Sequence, residues 1–296
     1  MMIQSEVNRI SRFALSSNGL RLHYLEYGSR SDSQTSVICL PGLTRSAEDF
    51  DRLARVLAAA PNGRGRRVLA LDYRGRGGSD WDMDWTHYNV QVELQDILTT
   101  LVAAEVTNAI FVGTSRGGLH IMLLGALQPS LMCAAVINDI GPVVEMAGLM
   151  RIKSYVGKLP PLTSWKDAID FIRQAACAHF IDVSEDDWET CARQTFAEEN
   201  GKFQLRYDPA LMCTLEAITP DAPMPQLWPQ FEALAGIPLM GIRGENSDIL
   251  SADTFAEMGQ RHPHFESFVV KGQGHAPLLL DAPTISVIAE FIERVA

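Results

Sequence analysis

Ala109-Ile-Phe-Val-Gly-Thr-Ser-Arg-Gly-Gly118 is an apolar run that ends in a serine flanked by glycines. Ile110, Phe111 and Val112 suit a strand buried on both faces, and Leu119 to Leu127 reads as a helix, so Ser115 falls in the turn between them. A strand-to-helix bend this sharp leaves no room for large side chains two residues either side of the serine, where Gly113 and Gly117 stand. Such a turn lifts the Ser115 hydroxyl clear of the sheet and points the free N–H groups of the following helix at developing negative charge. Ser115 is therefore predicted to be a nucleophile. By itself, however, a Gly-x-Ser-x-Gly spacing arises by chance in about one in ten chains of this size, and a serine that merely caps the helix has the same pattern. The rest of the chain has to separate the two.

Around this stretch the chain alternates strand and helix. An antiparallel hairpin is expected from Arg9 to Tyr27 about Ser17-Asn18-Gly19, followed by a buried strand at Val37-Ile38-Cys39-Leu40 and helical spacing at Phe50, Leu53, Ala54 and Leu57. Val68 to Leu71 is the next strand, and Asn89 to Ala104 a helix with Val90, Leu94, Ile97, Leu98 and Leu101 on one face. The Ser115 strand and helix come next, then a strand from Ala134 to Ile137. This rhythm predicts a mostly parallel sheet with helices on both faces. After Pro142 it breaks: to about Ala235 there are amphipathic helical patterns but no convincing strand, so residues 142–235 are expected to form an inserted helical lid on a core made of 1–141 and 236–296. Strands at Ile237 to Ile242 and Phe265 to Val270, each followed by a helix, close the core.

The composition narrows the function classes. With 296 residues, 47% of them hydrophobic, the chain can bury a large core, and a formal charge of -11 disfavours nucleic acid and anionic membranes as partners. No stretch of about eighteen apolar residues occurs and nothing at the start pairs a basic segment with an apolar one, so the expectation is a soluble cytoplasmic protein acting on a small molecule. Five scattered cysteines without a C-x-x-C pair fit a reducing compartment, and Cys39 and Cys133 read as core fillers. The loop Asp72-Tyr-Arg-Gly-Arg-Gly-Gly-Ser-Asp80 lacks the third glycine of a dinucleotide fingerprint and the Lys-Ser/Thr of a P-loop, so no nucleotide is expected. Arg74, Arg76 and Ser79 are read as residues that tie loops together.

A serine attacks only if a base takes its proton and an acid holds that base in the right tautomer. His275, in the glycine-rich segment Lys271-Gly-Gln-Gly-His275 just after the last strand, is the base candidate. The acid is expected after the previous strand, in Gly241-Ile-Arg-Gly-Glu-Asn-Ser-Asp248, which makes Asp248 the choice, Glu245 the reserve and Asp139, at the end of an earlier strand, the rival. The oxyanion donors are expected to be the backbone N–H groups of Arg116 and Leu43, the latter turned inward by Gly42. In the lid, Met146, Met150, Trp165, Trp188, Tyr207 and Met212 are spaced so that they could wall an apolar substrate site, though each could equally pack lid against core.

Taken in order, Leu40-Pro41-Gly42, Asp72-x-Arg-Gly-x-Gly-x-Ser79, Gly113-x-Ser-x-Gly117, Gly244-x-x-Ser-Asp248 and Gly274-His275 give the chain a resemblance to the α/β-hydrolase family over essentially its full length. That resemblance implies an eight-stranded sheet, a lid inserted after the sixth strand, and catalysis through an acyl-enzyme on Ser115 with neither metal nor cofactor. Pro41 departs from the pattern, since many relatives carry His before the oxyanion glycine. The function expected is hydrolysis of an ester or lactone of a small, largely apolar acid. Cleavage of a carbon–carbon bond in a vinylogous diketone by the same residues is the alternative within the family, and a ligand receptor with an idle triad the alternative outside it.

Overall fold

The computed structural model describes residues 7–30, 34–59, 65–181, 183–221 and 224–295; parts of the expected core (1–6, 31–33, 60–64 and 296) and of the expected insertion (182, 222 and 223) lie outside them. The chain opens with the hairpin β1 (Arg9–Leu15) and β2 (Arg21–Tyr27), turned at Gly19 with φ +85°. It continues through β3 (Ser36–Leu40), α1 (Asp51–Ala59), β4 (Val68–Leu71), α2 (Val90–Ala103), β5 (Ala109–Thr114), α3 (Arg116–Leu127) and β6 (Met132–Asn138). Between this point and the next core strand lie α4 (Met146–Tyr155), α5 (Trp165–Ala176), α6 (Glu185–Thr195), β7 (Phe196–Glu199), β8 (Lys202–Leu205) and α7 (Trp228–Glu232). The strand β9 (Leu239–Gly244), α8 (Ala252–Arg261), β10 (Phe265–Val270) and α9 (Ala282–Val295) complete the chain.

Eight strands form one sheet in the order β1-β2-β4-β3-β5-β6-β9-β10, antiparallel at β1/β2 and β2/β4 and parallel from β4 onward. Alternation along the strands explains why both faces are covered. Ile38, Leu40, Leu69, Leu71, Phe111, Ala135 and Ile137 share one buried cluster with Leu94, Ile97 and Leu101 of α2, Ile121 and Leu124 of α3 and Phe255 and Met258 of α8. Their neighbours Val37, Cys39, Val68, Ala70, Ile110, Val112, Ala134 and Val136 point the other way, onto Leu53, Ala54 and Leu57 of α1 and Ile285, Ile288, Phe291 and Ile292 of α9. All five cysteines are free, and burial pushes the Cys39 thiol far up, as suits a core filler.

The segment between β6 and β9 is not strand-free as expected. Helix α6 stops at Thr195, and Phe196–Glu199 pairs antiparallel with Lys202–Leu205 about Asn200 and Gly201, whose φ values of +52° and +74° make the two-residue turn that an Asn-Gly pair favours. Long-range polar contacts fasten the segment to the core: Arg45 donates to Gln194 Oε1 at 2.8 Å and Thr195 Oγ1 at 3.2 Å, Tyr88 donates to Asp208 Oδ2 at 2.6 Å, and Arg52 pairs with Asp187 at 2.7 Å.

The glycine-rich loop after β4 is built around Asp72. Its Oδ1 accepts the Ala47 N–H at 2.6 Å, its Oδ2 accepts the Gly78 N–H at 2.9 Å and lies 2.7 Å from His23 Nδ1, and Ser79 Oγ donates to the Asp72 carbonyl at 2.8 Å. A Cβ on Gly77 would stand 2.2 Å from Asp72 Oδ2, so the loop closes on its own carboxylate. Arg74 holds Asp96 through two hydrogen bonds of 2.6 and 2.7 Å and Asp82 through one of 2.6 Å, joining loop to helix α2.

Candidate active site

Ser115 sits between β5 and α3 with φ +52° and ψ −111°, a backbone conformation that costs a non-glycine residue about 1–3 kcal/mol and persists only where its surroundings impose it. Those surroundings are identifiable. A Cβ on Gly117 would come within 2.1 Å of the Leu40 carbonyl oxygen and one on Gly113 within 2.5 Å of the Gly117 carbonyl carbon, so α3 packs directly onto β3 and β5 only because both residues are glycine. The Ser115 N–H donates to the Asn138 carbonyl at 2.9 Å, fixing the turn to the end of β6. The side chain caps nothing; Ser115 Oγ lies instead 2.9 Å from His275 Nε2.

His275 reaches that position on a loop that leaves β10 and crosses over β9. The crossing is close, since a Cβ on Gly244 would be 2.5 Å from the Gly274 carbonyl oxygen, and Asn246 N–H to the Gln273 carbonyl (2.9 Å) and Asn138 Nδ2 to the Pro277 carbonyl (3.0 Å) hold the loop in place. The other ring nitrogen, Nδ1, lies 2.8 Å from Asp139 Oδ2. Asp139 is fully buried, and its carboxylate also accepts from Ser247 Oγ at 2.6 Å and from the Gly244 N–H at 2.7 Å. Three donors thus converge on it, and its own φ of +58° turns the side chain toward the loop at the point where β6 ends.

The expectation that Asp248 partners His275 is corrected by this geometry. Asp248 follows the turn after β9 and faces the inserted segment, where Arg151 of α4 grips it with Nε at 2.6 Å and Nη2 at 2.7 Å. Burial pushes the Asp248 carboxyl up, but the Arg151 guanidinium outweighs it and holds the group below the ordinary carboxylate range. The backbone takes part as well: the Gly148 N–H donates to the Asp248 carbonyl at 3.1 Å, and a Cβ on Gly148 would lie 2.4 Å from that oxygen. Asp248 therefore fastens α4 to the core. Glu245, the reserve, accepts the Gly272 N–H at 2.9 Å and braces the start of the His275 loop. Ser247, inside the Gly244-x-x-Ser-Asp248 motif, donates to the same carboxylate oxygen that His275 Nδ1 faces, a contact that its place in the motif did not signal.

The loops that carry the two expected oxyanion donors, Leu43 and Arg116, both reach Ser115. Arg116 opens α3, so its N–H is one of the first-turn amides without an intrahelical acceptor. On the other side a Cβ on Gly42 would lie 3.8 Å from Ser115 Cβ, so the residue before Leu43 stands next to the serine. The six expected lid residues divide. Trp188 and Tyr207 are buried, Tyr207 bridging to Arg76 of the core, Trp165 stacks edge-on against Phe203 with centroids 5.1 Å apart, and Met212 is exposed beside Gly157. Met146 and Met150, one turn apart on α4, stay half-buried. Among the described residues no group of three or more His, Cys, Asp or Glu is placed to hold a metal ion, and no helix is long and apolar enough to cross a membrane.

Residues 37–289 match the model of the alpha/beta hydrolase family. The chain is 31% identical to a 3-hydroxybutyrate-oligomer hydrolase of Cupriavidus necator over 92% of both chains, and 26% identical to an esterase of Mycobacterium tuberculosis over 92% of this chain and 83% of that one. A crystal structure of an alpha/beta hydrolase from Novosphingobium aromaticivorans superposes with a TM-score of 0.89 at 38% identity, covering 98% of this chain and 99% of that one. A match over most of the sequence and the same fold from end to end lead to one conclusion: the chain belongs to the α/β hydrolase family and is a hydrolase of the esterase type.

Proposed function

We propose that this protein hydrolyses carboxylic esters of small acids through an acyl-enzyme on Ser115, with His275 as base and Asp139 as the residue that orients it. The observation that carries the reading is the unbroken chain of contacts Ser115 Oγ to His275 Nε2 at 2.9 Å and His275 Nδ1 to Asp139 Oδ2 at 2.8 Å. With its Nδ1 proton held by Asp139, the imidazole offers a lone pair at Nε2 to the Ser115 hydroxyl. Ser115 then attacks the ester carbonyl as His275 takes its proton. The tetrahedral oxyanion is met by the N–H groups of Leu43 and Arg116, and the imidazolium passes its proton to the departing alcohol. Water, deprotonated by the same ring, releases the acid and restores Ser115.

An ester, rather than a lactone or a diketone, is favoured by the likeness to an esterase and to a hydrolase of hydroxy-acid oligomers. In this reading the segment 142–235 is the lid, and α4, pinned to Asp248, walls the acyl side with Met146 and Met150. Five free cysteines suit a cytoplasmic location. Intact-mass measurement after treatment with an alkyl fluorophosphonate tests the nucleophile: one adduct is expected on the wild type and none on Ser115→Ala. An adduct of equal yield on the variant would overturn the assignment.

A further inference from the structure

Beneath the turn that carries Ser115 lies a buried ionic cluster that the mechanism above does not use. Glu93 of α2 is fully buried, its Oε2 accepting from Arg116 Nε at 2.5 Å and from His120 Nε2 at 3.1 Å, while its Oε1 forms an ion pair with Arg76 Nη2 at 2.9 Å. Arg76, also fully buried, donates from Nε to the Leu43 carbonyl at 2.9 Å and from Nη1 to the Arg74 carbonyl at 2.7 Å, with the Tyr73 and Tyr88 rings within 5.6 and 5.4 Å of its guanidinium carbon. One carboxylate is thus bound directly to the residue after the nucleophile and, through one guanidinium, to Leu43. Those are the two residues that the proposed mechanism uses as oxyanion donors.

We infer that Glu93 is a positioning residue that fixes the distance between the two oxyanion donors, holding Arg116 through its side chain and Leu43 through Arg76. The inference rests on the acyl-transfer reading of Ser115. Its physical basis is that oxyanion stabilisation depends on donors already in place when charge develops, and that the other anchors each hold one side alone: the Tyr73 hydroxyl on the Pro41 carbonyl at 3.1 Å holds the Leu43 turn, and the Ser115 N–H on the Asn138 carbonyl holds the Arg116 end, whereas Glu93 links the two. A loop anchored by one guanidinium to a carboxylate in a packed interior cannot drift as an exposed loop does.

The charge balance favours the same role. Burial, the largest influence, pushes Glu93 up, yet Arg116, Arg76 and His120 hold it far below the ordinary carboxylate range. Burial likewise lowers His120, which remains neutral with Nε2–H donated to Glu93. Two guanidinium groups against one carboxylate leave a net positive charge under the turn, on the side where the amides of α3 already present the positive end of the helix dipole. A neutral or apolar filling of the same volume would pack this space and supply neither the tether nor the field.

The test compares Glu93→Gln and Arg76→Lys with the wild type on p-nitrophenyl butyrate, together with inhibition by butylboronic acid, whose tetrahedral adduct on serine mimics the oxyanion. Removing an oxyanion donor altogether costs ~10²–10³-fold in kcat, so loosening two donors is expected to lower kcat about 10–100-fold and to weaken boronate inhibition in step, with KM within about twofold. Arg76→Lys keeps the charge but replaces the separate Nε and Nη donors, which bind Leu43 and Glu93, with a single ammonium, and decides the matter alone should Glu93→Gln fail to fold. A lower Tm with kcat and boronate inhibition both unchanged would reduce the cluster to packing and overturn the inference. Fluorophosphonate labelling separates this from a failure of the underlying reading. If Ser115→Ala still labels, the nucleophile is wrong and this inference falls with it; if labelling is confined to Ser115 and the cluster variants are fully active, only the role of Glu93 is refuted.

Discussion

Replacing Asp139 by Asn changes one atom in a residue that is fully buried and accepts from three donors, and its consequence follows from proton positions. An amide keeps one acceptor oxygen, which the Gly244 N–H at 2.7 Å from Oδ1 would retain. The NH₂ then replaces Oδ2, where it faces Ser247 Oγ and His275 Nδ1. The serine hydroxyl can rotate and accept. The imidazole can accept only by moving its proton from Nδ1 to Nε2, and Nε2 would then present a proton to Ser115 Oγ instead of a lone pair. In Ser-His-Asp enzymes this change lowers kcat by ~10⁴-fold, equivalent to about 5.5 kcal/mol. Asp248→Asn weakens the grip of Arg151 on a half-exposed pair, at a cost of about 1–2 kcal/mol in stability and less than about tenfold in kcat. Both variants would be assayed on p-nitrophenyl butyrate, with circular dichroism and Tm as controls for folding. If Asp248→Asn loses more activity than Asp139→Asn while both stay folded, the reasoning from the His275 contacts is wrong.

Gly117→Ala should be strongly destabilising, because its Cβ would meet the Leu40 carbonyl at 2.1 Å; overpacking of at least about 1–3 kcal/mol is expected, and a Tm within a degree of wild type would contradict the account of the turn. Acid should destabilise the fold in two stages. His120 and Glu93 both have folded-state pKa values below their unfolded ones, so the unfolded chain binds the extra protons and stability present at neutral pH is lost first as pH falls below about 6.5, the ordinary value for His, and further below about 4.5. Urea unfolding at several pH values would show this; His120→Asn should flatten the upper stage, and an unaltered profile would refute the assignment. If α4 walls the acyl site, Met150→Ala should change the ratio of kcat/KM between butyrate and octanoate esters by several-fold, whereas an equal loss on both would point to folding damage.

The alternation of strand and helix and the two-faced sheet were readable because the central runs Val37–Leu40, Val68–Leu71 and Ile110–Val112 are apolar at every position, which in a chain that alternates strand and helix means burial on both sides. The hairpin at 196–205 was missed for a different reason. Phe196, Phe203 and Leu205 bury only alternate positions of two four-residue strands, too short to outweigh the helical spacing of the preceding Glu185–Thr195. Asn200-Gly201 carried the contrary signal, since the pair tolerates the positive φ at both central positions that such a turn demands. Trp165 and Trp188 were likewise undetermined from spacing, because an apolar residue between β6 and β9 packs on its neighbours as readily as on a ligand.

The choice between Asp139 and Asp248 exposes what a linear pattern leaves out. Both carboxylates stand at the same edge of the sheet, one at the end of β6 and one just past β9, and β6 lies between β5 and β9. With neighbouring strands about 4.8 Å apart, a histidine crossing from β10 can meet an acid on either. Chain order therefore admits both. The decision rests on what else each carboxylate touches, and those partners lie far off in sequence: Arg151 is 97 residues from Asp248, and His275 is 136 residues from Asp139. A carboxylate held side-on by a guanidinium has its charge answered before His275 acquires any. Among the described residues Asp139 meets N–H and O–H groups and no guanidinium or ammonium, so in the proposed mechanism its charge remains available to the imidazolium that forms when Ser115 gives up its proton. The same strand-end geometry thus serves two tasks, and the presence of an arginine on α4 assigns them.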